Sequence, residues 1–467
     1  NPYPERFEVN TEIGDAKELP DETKDIKVAG RIVLMRKMGK MSFLTIGDIT
    51  GRIQISVKMD MIGEEAYQEF KQNFDLGDFI GVEGEVFTTH TGEKTIRASQ
   101  ITFLGKALKP LPEKFHGLED QELIYRERYV DLIMNEDEKK KFLFRSAFIR
   151  EVRTYLNEKG YIEIETPILN NKASGASAKP FITHHNALDI DVYLRIAPEM
   201  YLKRAIVGGF TKVFEFARCF RNEGMDATHL QDFTMLEGYG AYRNYKDNMA
   251  FLKDMLQTVI SKIFGTLCIQ VGDKMVDLSG EWPTVSFREL ILQYADIDIF
   301  VDDTAEKLLQ KIVEKKIEID SEVPLENLGY GNLVDQLYKK VARPHLVNPV
   351  FLVEHPISLS PLARANDENP NITDRFQLVI NGAEIINAYS ELVDPQEQER
   401  RLEEQAKLKA GGDEEAMPMD YDYISAMEYG MPPISGWGIG IDRLIQLLTA
   451  SDNIKDVVLF PLMRPKD

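Results

Sequence analysis

The chain reads Lys212-Val-Phe-Glu-Phe216, continues through Phe220-Arg-Asn-Glu-Gly224, and resumes at Asp232-Phe-Thr-Met-Leu-Glu237. The first and last of these stretches alternate or run apolar as strands do, so we predict two strands joined by a long loop. The loop between them is rich in charged and polar residues. On this stretch alone, a nucleotide site without a phosphate-binding glycine loop competes with a charged hairpin on the surface.

The side chains of this hairpin have the chemistry that a nucleotide needs. Arg221 presents a fork of donors that suits a phosphate and a carboxylate together. Glu223 offers an acceptor to an exocyclic amine, and His229 is placed to reach a terminal phosphate. Phe233 is suited to stack on a base. These residues are our candidates for binding a nucleotide.

Two further stretches favour function over a surface hairpin. Gly436-Trp-Gly-Ile-Gly-Ile-Asp-Arg443 runs into an apolar helix, Leu444–Leu448. Its alternating glycines let the backbone approach a flat ligand closely, and Arg443 is placed to cover the face of the base opposite Phe233. Gly160-Tyr-Ile-Glu-Ile-Glu-Thr-Pro167 predicts the end of a helix followed by a strand that stops at proline.

Taken in the order given above, the three stretches resemble motifs 2, 3 and 1 of the class II aminoacyl-tRNA synthetases, and along the chain they occur in the order 1, 2, 3. A glycine-rich run alone would be a weak signal, but the combination is specific. Residues 147–467 mix strands and helices without βαβ regularity or a GxGxxG sequence. We therefore predict an α+β fold, with an antiparallel sheet flanked by helices.

Residues 24–107 predict a separate small barrel. Five β-rich segments have a helix, Ala66–Asn73, after the third, which is the element order of an OB-fold. Residues 24–58 carry eight basic residues against two acidic ones, on the strands where such barrels bind single-stranded nucleic acid. We predict an OB-fold anticodon-binding domain at 1–108, a linker region at 109–146, and a class II catalytic domain at 147–467.

Composition restricts the broad class of protein. The 467 residues are 43% hydrophobic and 28% charged, as in ordinary globular domains. Neither a membrane-length apolar run nor a secretory segment occurs, and two cysteines suit a reducing compartment, so we expect a cytoplasmic protein without membrane partners. A net charge of −21 argues against diffuse nucleic-acid binding, and the seven histidines show no zinc-site spacing.

The residues near the motifs indicate which amino acid is bound. Glu199 lies in Ala197-Pro-Glu199, Glu237 ends the second motif strand, and Glu391 closes Asn387-Ala-Tyr-Ser-Glu391. Buried carboxylates cost several kcal/mol each unless a cation pairs with them, so acidic residues facing one pocket require a cationic guest. With Tyr125–Ile133, Ser360–Arg364 and Ser390–Asp394, the chain resembles the class II lysyl-tRNA synthetases over nearly its whole length.

That resemblance implies roles for individual residues, with ATP and Mg²⁺ as cofactors and L-lysine and tRNA(Lys) as partners. Arg221 and Arg443 would be catalytic. The ATP-binding residues implied are Arg221, Glu223, His229, Phe233 and Arg443. The lysine-binding residues implied are Glu199, Arg221, Glu237, Tyr239, Asn387 and Glu391. The anticodon-binding residues implied are Arg31, Phe43 and Gln54. A homodimer built on the motif 1 strand is also expected.

Glu384 is implied as a magnesium ligand, but the chain departs from the family nearby. A second glutamate is common seven residues earlier, and this chain has Gln377 there, whose neutral amide coordinates magnesium more weakly. Asn387-Ala-Tyr replaces the frequent Asn-Gly-Phe, and Trp437 lies within the glycine motif. Neither difference changes the charge of the pocket.

Several alternatives stay open at this point. Glu199 suits a helix N-terminus, Glu391 could belong to the acidic segment 391–428, and Phe43 could be barrel core. An aspartyl or asparaginyl enzyme of the same subclass competes, although the acidic pocket disfavours both substrates. A paralogue that modifies a protein is disfavoured by the barrel. A non-catalytic nucleic-acid binder is disfavoured by intact Arg221, Glu223 and Arg443.

Overall fold

The structure is a computed structural model that describes residues 3–112, 120–176, 178–321, 324–410 and 416–466. Contacts divide the chain into two compact units, Asn1–Lys139 and Lys140–Asp467. The predicted linker region at 109–146 includes residues 113–119, which lie outside the described residues. The predicted domain boundaries at 108 and 146 stay predictions.

The first unit contains a closed five-stranded barrel with strand order β1-β2-β3-β5-β4. Its strands are β1 (Ile26–Lys37), β2 (Met41–Gly47), β3 (Arg52–Lys58), β4 (Phe79–Thr88) and β5 (Lys94–Gly105). Its helices are α1 (Ile13–Glu18), α2 (Met59–Ile62), α3 (Glu64–Asn73), α4 (Gln121–Arg126) and α5 (Arg128–Met134). The predicted OB-fold is confirmed, with the helix after the third strand.

Alternation along the strands fills the barrel. Every second residue of β2 is buried, from Ser42 through Leu44 to Ile46, and faces the interior. Helix α3 closes the barrel with Tyr67 and Phe70, both almost fully buried, and the Tyr67 hydroxyl lies 2.9 Å from Ser42 Oγ. The intervening residues of the strands therefore form an outer surface.

The second unit is built on an eight-stranded sheet with strand order β14-β15-β16-β17-β18-β11-β10-β6. Strands β7, β9 and β8 form a separate small sheet, and β12 pairs with β13. The strands are β6 (Ile162–Glu163), β7 (Leu169–Asn170), β8 (Ile182–His185), β9 (Ile190–Leu194), β10 (Lys212–Phe220), β11 (Asp232–Ala241), β12 (Cys268–Val271), β13 (Lys274–Asp277), β14 (Thr284–Ser286), β15 (Val350–Val353), β16 (Arg375–Ile380), β17 (Ala383–Ser390) and β18 (Ile434–Gly440).

The helices that accompany this sheet are α6 (Glu136–Glu158), α7 (Glu199–Val207), α8 (Tyr245–Phe264), α9 (Phe287–Ala295), α10 (Ala305–Glu314), α11 (Tyr330–Val341), α12 (Pro395–Ala410), α13 (Tyr421–Glu428) and α14 (Ile441–Leu448). Short 3₁₀ helices occur at Leu325–Asn327, Arg343–His345, Ile357–Leu359 and Ile454–Val457. Among the described residues, no helix combines the length and apolarity needed to cross a bilayer.

The six central strands of the large sheet pair antiparallel, as predicted. At its two ends, β14 runs parallel to β15 and β6 runs parallel to β10, which makes the complete sheet mixed. The hairpin β10–β11 matches the two strands predicted from the opening stretch. Its loop spans residues 221–231 between the paired ends Phe220 and Asp232.

The two faces of this sheet have different surroundings. Leu236, Ile439, Ile386 and Leu378 are directly paired across β11, β18, β17 and β16, and all four belong to the main hydrophobic core. Helices α6, α8 and α14 contribute to that core. Because side chains alternate along each strand, the residues next to this row face the opposite side, where the cleft lies.

Candidate active site

A single cleft brings together most of the residues predicted from the sequence. Its volume is about 1120 Å³, which includes solvent at its mouth. The predicted residues that line it are Glu199, Arg221, Glu223, His229, Phe233, Glu237, Tyr239, Glu384, Asn387, Glu391 and Arg443. Gln377 lies beside Glu384 rather than on the cleft wall. Arg31, Phe43 and Gln54 belong to the barrel and are described separately.

Strand register explains how distant residues meet in the cleft. Glu237 of β11 pairs with Gly438 of β18, which pairs in turn with Asn387 of β17. Two residues away, Tyr239 pairs with Gly436, and Gly436 pairs with Tyr389. Because the side-chain period of a strand is two, both rows face the cleft together.

Glycine at 436 leaves room for two cleft side chains. A Cβ atom at this position would lie 2.3 Å from the Tyr239 ring and about as close to Glu391 Oε1, which is far inside normal contact. At Gly438 and Gly440, a Cβ atom would make only ordinary contacts of 3.5 Å or more with the protein. Those two glycines therefore leave open space on the cleft side.

A β-bulge places Glu384 in the cleft. The β16–β17 register shifts between Leu378 and Val379, so Glu384 and Asn387, three residues apart, both line the cleft. Gln377 donates its amide N–H to Glu384 Oε2 at 2.9 Å. Among the described residues, no group of three or more metal-binding side chains occurs.

The side of the cleft that contains Phe233 is bounded by two arginines. The Arg221 guanidinium carbon lies 5.1 Å from the centre of the Phe233 ring, and its buried Nε has no hydrogen-bond partner. Arg443 donates from Nη1 to the backbone oxygen of Glu384 at 3.0 Å, and burial lowers the pKa of its guanidinium. Both arginines therefore keep donors available for a ligand in the cleft.

Helix α14 is fixed to the hairpin at the point where it presents Arg443. Asp442 accepts from the backbone N–H of Thr234 at 2.6 Å. Arg145 pairs with Asp442 at 2.6 Å and also donates to Thr234 Oγ1 at 3.1 Å. The residue next to Arg443 is thus held by two charge-assisted contacts, which fixes the start of the helix.

The β10–β11 loop is the exposed part of the site. His229 Nδ1 lies 2.8 Å from Asp226 Oδ2, and its side chain is 53% exposed. Burial would raise the pKa of Asp226, but hydrogen bonds from Thr228 and His229 outweigh it and hold that pKa at about 2. Glu223 is exposed on the same loop. Asp226 thus orients His229 and leaves its Nε2 free to face a ligand.

The opposite side of the cleft is acidic and buried. Glu391 is 2% exposed, and Glu199 and Glu237 are each 6% exposed. Tyr239 donates its hydroxyl to Glu237 at 3.2 Å, and Tyr389 donates to Glu199 at 2.8 Å. Glu199 is indeed the first residue of α7, but it also lines the cleft, and Glu391 is not part of a solvated surface.

Burial changes the acidity of this side. It raises the pKa of Glu237 to about 8, and repulsion from Glu199 adds to the shift, while the Tyr239 hydroxyl and two nearby cations oppose it. Burial also raises the pKa of Glu391 to about 8, against the attraction of Lys203. Unless a further cation enters the cleft, carboxyl groups in such surroundings retain protons near neutral pH.

Lys203 is the functional candidate that the sequence analysis missed. It lies on α7 one turn after Glu199, is fully buried, and contacts both Glu199 and Glu391. The available signal was the spacing of four between Glu199 and Lys203, which places both side chains on one helical face. The contact with Glu391, 188 positions later, has no local signature.

The predicted anticodon-binding residues share the outer surface of the barrel. Phe43 is half-buried between the inward-facing residues Ser42 and Leu44 and lies outside the barrel core, so the core alternative for it is not supported. Gln54 donates to Thr95 Oγ1 at 3.0 Å. Arg31 lies over the Phe79 ring at 4.1 Å and donates to Gly77 O at 2.8 Å.

Comparisons with known proteins agree with this architecture. Residues 120–464 match the model of the class II tRNA synthetases for D, K and N, and residues 26–104 match the OB-fold nucleic acid binding domain. A lysine–tRNA ligase of Thermosipho africanus is 45% identical over all of this chain and 93% of its own length.

Two further relatives cover the chain in the same way. A lysine–tRNA ligase of Histophilus somni is 46% identical over all of this chain and 94% of its own. The heat-inducible lysine–tRNA ligase of Escherichia coli K12 is 46% identical over 97% of this chain and 89% of its own. With this barrel, this sheet and these relatives, the chain belongs to the class II tRNA synthetases of the D, K and N group, in the family of the lysine–tRNA ligases.

Proposed function

We propose that this protein joins L-lysine to tRNA(Lys) in an ATP-dependent reaction that proceeds through lysyl-adenylate. The observation that carries the proposal is likeness along the whole chain, since lysine–tRNA ligases match it at about 45% identity from end to end. The buried carboxylates of the cleft agree with it. An ammonium group is the guest that such a pocket needs, whereas an aspartate side chain would add a fourth negative charge.

In this proposal, the acidic side of the cleft binds the amino acid. Glu237 and Glu391 hold the ε-ammonium group with help from Tyr239, and Glu199 and Asn387 lie near the α-amino group. Burial of these side chains and the row that joins Glu237, Gly438 and Asn387 support the assignment. A buried polar site of this kind rejects amino acids that leave its groups unpaired.

The nucleotide binds on the other side. Phe233 and Arg443 cover the two faces of adenine, Glu223 accepts from its exocyclic amine, and His229 contacts the γ-phosphate. Arg221 contacts both the lysine carboxylate and the α-phosphate, and its buried, unpartnered Nε supports this role.

The first step needs no nucleophile from the protein. A carboxylate oxygen of lysine attacks the α-phosphorus, and the bond to the bridging oxygen breaks, so that pyrophosphate leaves. Arg221 and Arg443 stabilise the charge that develops on the phosphate, and the two binding sides hold the reactants in line. In the second step, the terminal 3′-hydroxyl of the tRNA attacks the carbonyl carbon, and AMP leaves.

Magnesium fits the site as an ion that accompanies ATP. Mg²⁺ commonly binds through one or two carboxylates together with substrate phosphates. Glu384 supplies one carboxylate at the cleft wall, and Gln377 supplies a neutral amide beside it. We infer that Glu384 holds the ion, which neutralises phosphate charge when it is bound.

The barrel supplies the second contact with tRNA. Phe43, Gln54 and Arg31 share the outer surface of β1–β3, and we infer that they read the anticodon. Stacking of a base on an aromatic side chain contributes about 1–3 kcal/mol. We infer a cytoplasmic location, which agrees with a tRNA substrate.

We infer a homodimer from the region of the first motif. Six large apolar residues on β6 and on or near the strands of the small sheet are each at least 40% exposed, and an interface would cover such side chains. They are Ile162, Ile168, Leu169, Ile182, Leu188 and Ile190. A twofold contact would cover them with the same residues of a second copy.

ATP–pyrophosphate exchange with each of the twenty amino acids tests the function. We expect exchange with lysine alone. Exchange with aspartate or asparagine would support the alternatives of the same subclass. No exchange with any amino acid, together with retained tRNA binding, would support a non-catalytic nucleic-acid binder.

A further inference from the structure

Lys203 is an ammonium group that the protein itself places in its acidic pocket. The side chain is fully buried, and Nζ lies 2.5 Å from Glu199 Oε1 and in direct contact with Glu391 Oε2. Two of the three carboxylates proposed to bind lysine therefore already contact a cation that belongs to the chain.

Aromatic rings complete the surroundings of this ammonium. Nζ lies 6.0 Å from the ring centre of Tyr239, 5.6 Å from that of Tyr389 and 5.8 Å from that of Tyr423. Carboxylates combined with ring faces are the groups that recognise ammonium ions. Burial acts to lower the pKa of Lys203, but Glu199 and Glu391 outweigh it and raise that pKa well above its usual value.

Lys203 changes the charge that the pocket offers to its substrate. With lysine bound and all three carboxyl groups ionised, Glu199, Glu237 and Glu391 face Lys203 and Arg221, which leaves one excess negative charge. Zwitterionic lysine carries one net positive charge. Without Lys203, the excess would be two, and a buried carboxyl group would take up a further proton to reduce it.

We propose that Lys203 is a positioning residue for lysine recognition, which holds the side chains of Glu199 and Glu391 in place and favours the ionised form of Glu391, so that the pocket suits a substrate with one net positive charge. This inference rests on the proposed function of the same cleft. It assigns Lys203 no contact with the reacting atoms, because the residue acts through the two carboxylates that it touches.

Lys203→Met tests this role in ATP–pyrophosphate exchange. At about pH 7, the KM for lysine should rise roughly tenfold or more, because each unit of raised carboxyl pKa costs a factor of ten. The KM for ATP should stay within about twofold. The loss relative to the wild type should shrink as the pH rises, because Glu391 then ionises without the help of Lys203.

Arg204→Met is the matched control. Arg204 is the next residue of α7 and pairs with Asp420 at 3.4 Å instead of with the cleft carboxylates. Its loss should leave the KM for lysine unchanged. A Lys203→Met enzyme with an unchanged KM for lysine, or with a loss that does not vary with pH, would overturn the proposal.

The double variant Lys203→Met/Glu391→Gln covers the case in which the single variant does not fold. Removing both partners of a buried ion pair is better tolerated than removing one. If Lys203 acts through its carboxylate partners, the double variant should have nearly the lysine KM of Glu391→Gln alone, and fully additive losses would contradict the idea. A wild type that lacks lysine-dependent exchange would instead overturn the proposed function.

Discussion

The two sides of the cleft differ in how much of their binding geometry exists before a ligand arrives. On the amino-acid side, Glu199, Glu237 and Glu391 are nearly inaccessible to water and are held by tyrosine hydroxyls and Lys203. On the nucleotide side, His229 and Glu223 lie on an exposed loop, and His229 is oriented mainly by Asp226.

This difference indicates which side of the cleft selects the amino acid. A rigid, buried pocket discriminates strongly, because a wrong amino acid leaves charges unpaired and no water can replace the missing partner. An exposed loop closes over a ligand at little cost but discriminates weakly. In the proposed assignment, the more adaptable side therefore holds the common substrate ATP, and the buried side selects lysine.

Arg221→Ala should have the largest effect, because Arg221 serves both sides. We expect the rate of lysyl-adenylate formation to fall by roughly 1000-fold or more, as for other arginines that stabilise a phosphoryl transition state. ATP–pyrophosphate exchange measures this rate. Near-normal exchange in this variant would show that Arg221 does not contact both the lysine carboxylate and the α-phosphate.

Glu391→Gln should separate the two sides. Loss of one buried charge-assisted contact costs about 2–3 kcal/mol, which corresponds to a lysine KM raised roughly 30- to 150-fold. The KM for ATP should change by less than about twofold. Steady-state exchange with each substrate varied in turn provides both KM values. Similar increases in the KM for lysine and the KM for ATP would contradict the assignment of Glu391 to the lysine side alone.

The affinity for lysine should depend on pH, because the carboxyl groups of the buried side titrate near neutral pH. The raised pKa of Glu237, about 8, means that the free pocket holds a proton at neutral pH. A bound ammonium group favours the carboxylate, so lysine binding releases that proton. The affinity for lysine should therefore rise by up to about tenfold per pH unit from about pH 6.5 and level off above about pH 8. Calorimetry in buffers of different ionisation enthalpy measures the proton release.

The same titration in Glu237→Gln provides the control for this pH dependence. The variant lacks the carboxyl group, so its lysine affinity should vary less with pH than that of the wild type. An unchanged slope would assign the proton to another group, of which Glu391 is the first to examine.

His229→Ala should have the smallest effect. His229 is exposed and contributes one contact to a phosphate that water also solvates, so the KM for ATP should rise by roughly three- to tenfold. The KM for lysine should not change. A loss as large as that of Glu391→Gln would mean that the loop is as preorganised as the buried pocket.

Much of the fold followed from local patterns. The barrel was predicted with its five strands and the helix after the third, because each strand alternates and is bounded by turn residues. The antiparallel centre of the large sheet was also predicted. The parallel pairs at its ends were not, because β6 and β14 are only two and three residues long and carry no periodicity.

For the site, a charge pattern indicated the substrate, but packing produced the pocket. Glu237 and Glu391 predicted a cationic guest because a buried carboxylate requires a partner. The bulge that turns Glu384 into the cleft depends on pairing between two strands. The space that Gly436 leaves for Tyr239 and Glu391 depends on three strands at once.

The family, the two kinds of domain and the sign of the substrate's charge could all be inferred from sequence motifs alone. These depend on short motifs and on residue types whose chemistry does not change with distance. The contact between Lys203 and Glu391 is visible only in the folded chain. An ion pair between residues 188 positions apart exists because α7 packs against β10, β11 and α13, where Glu391, next after β17, meets the buried ammonium group of Lys203. Neither strand register nor burial can be read from local spacing.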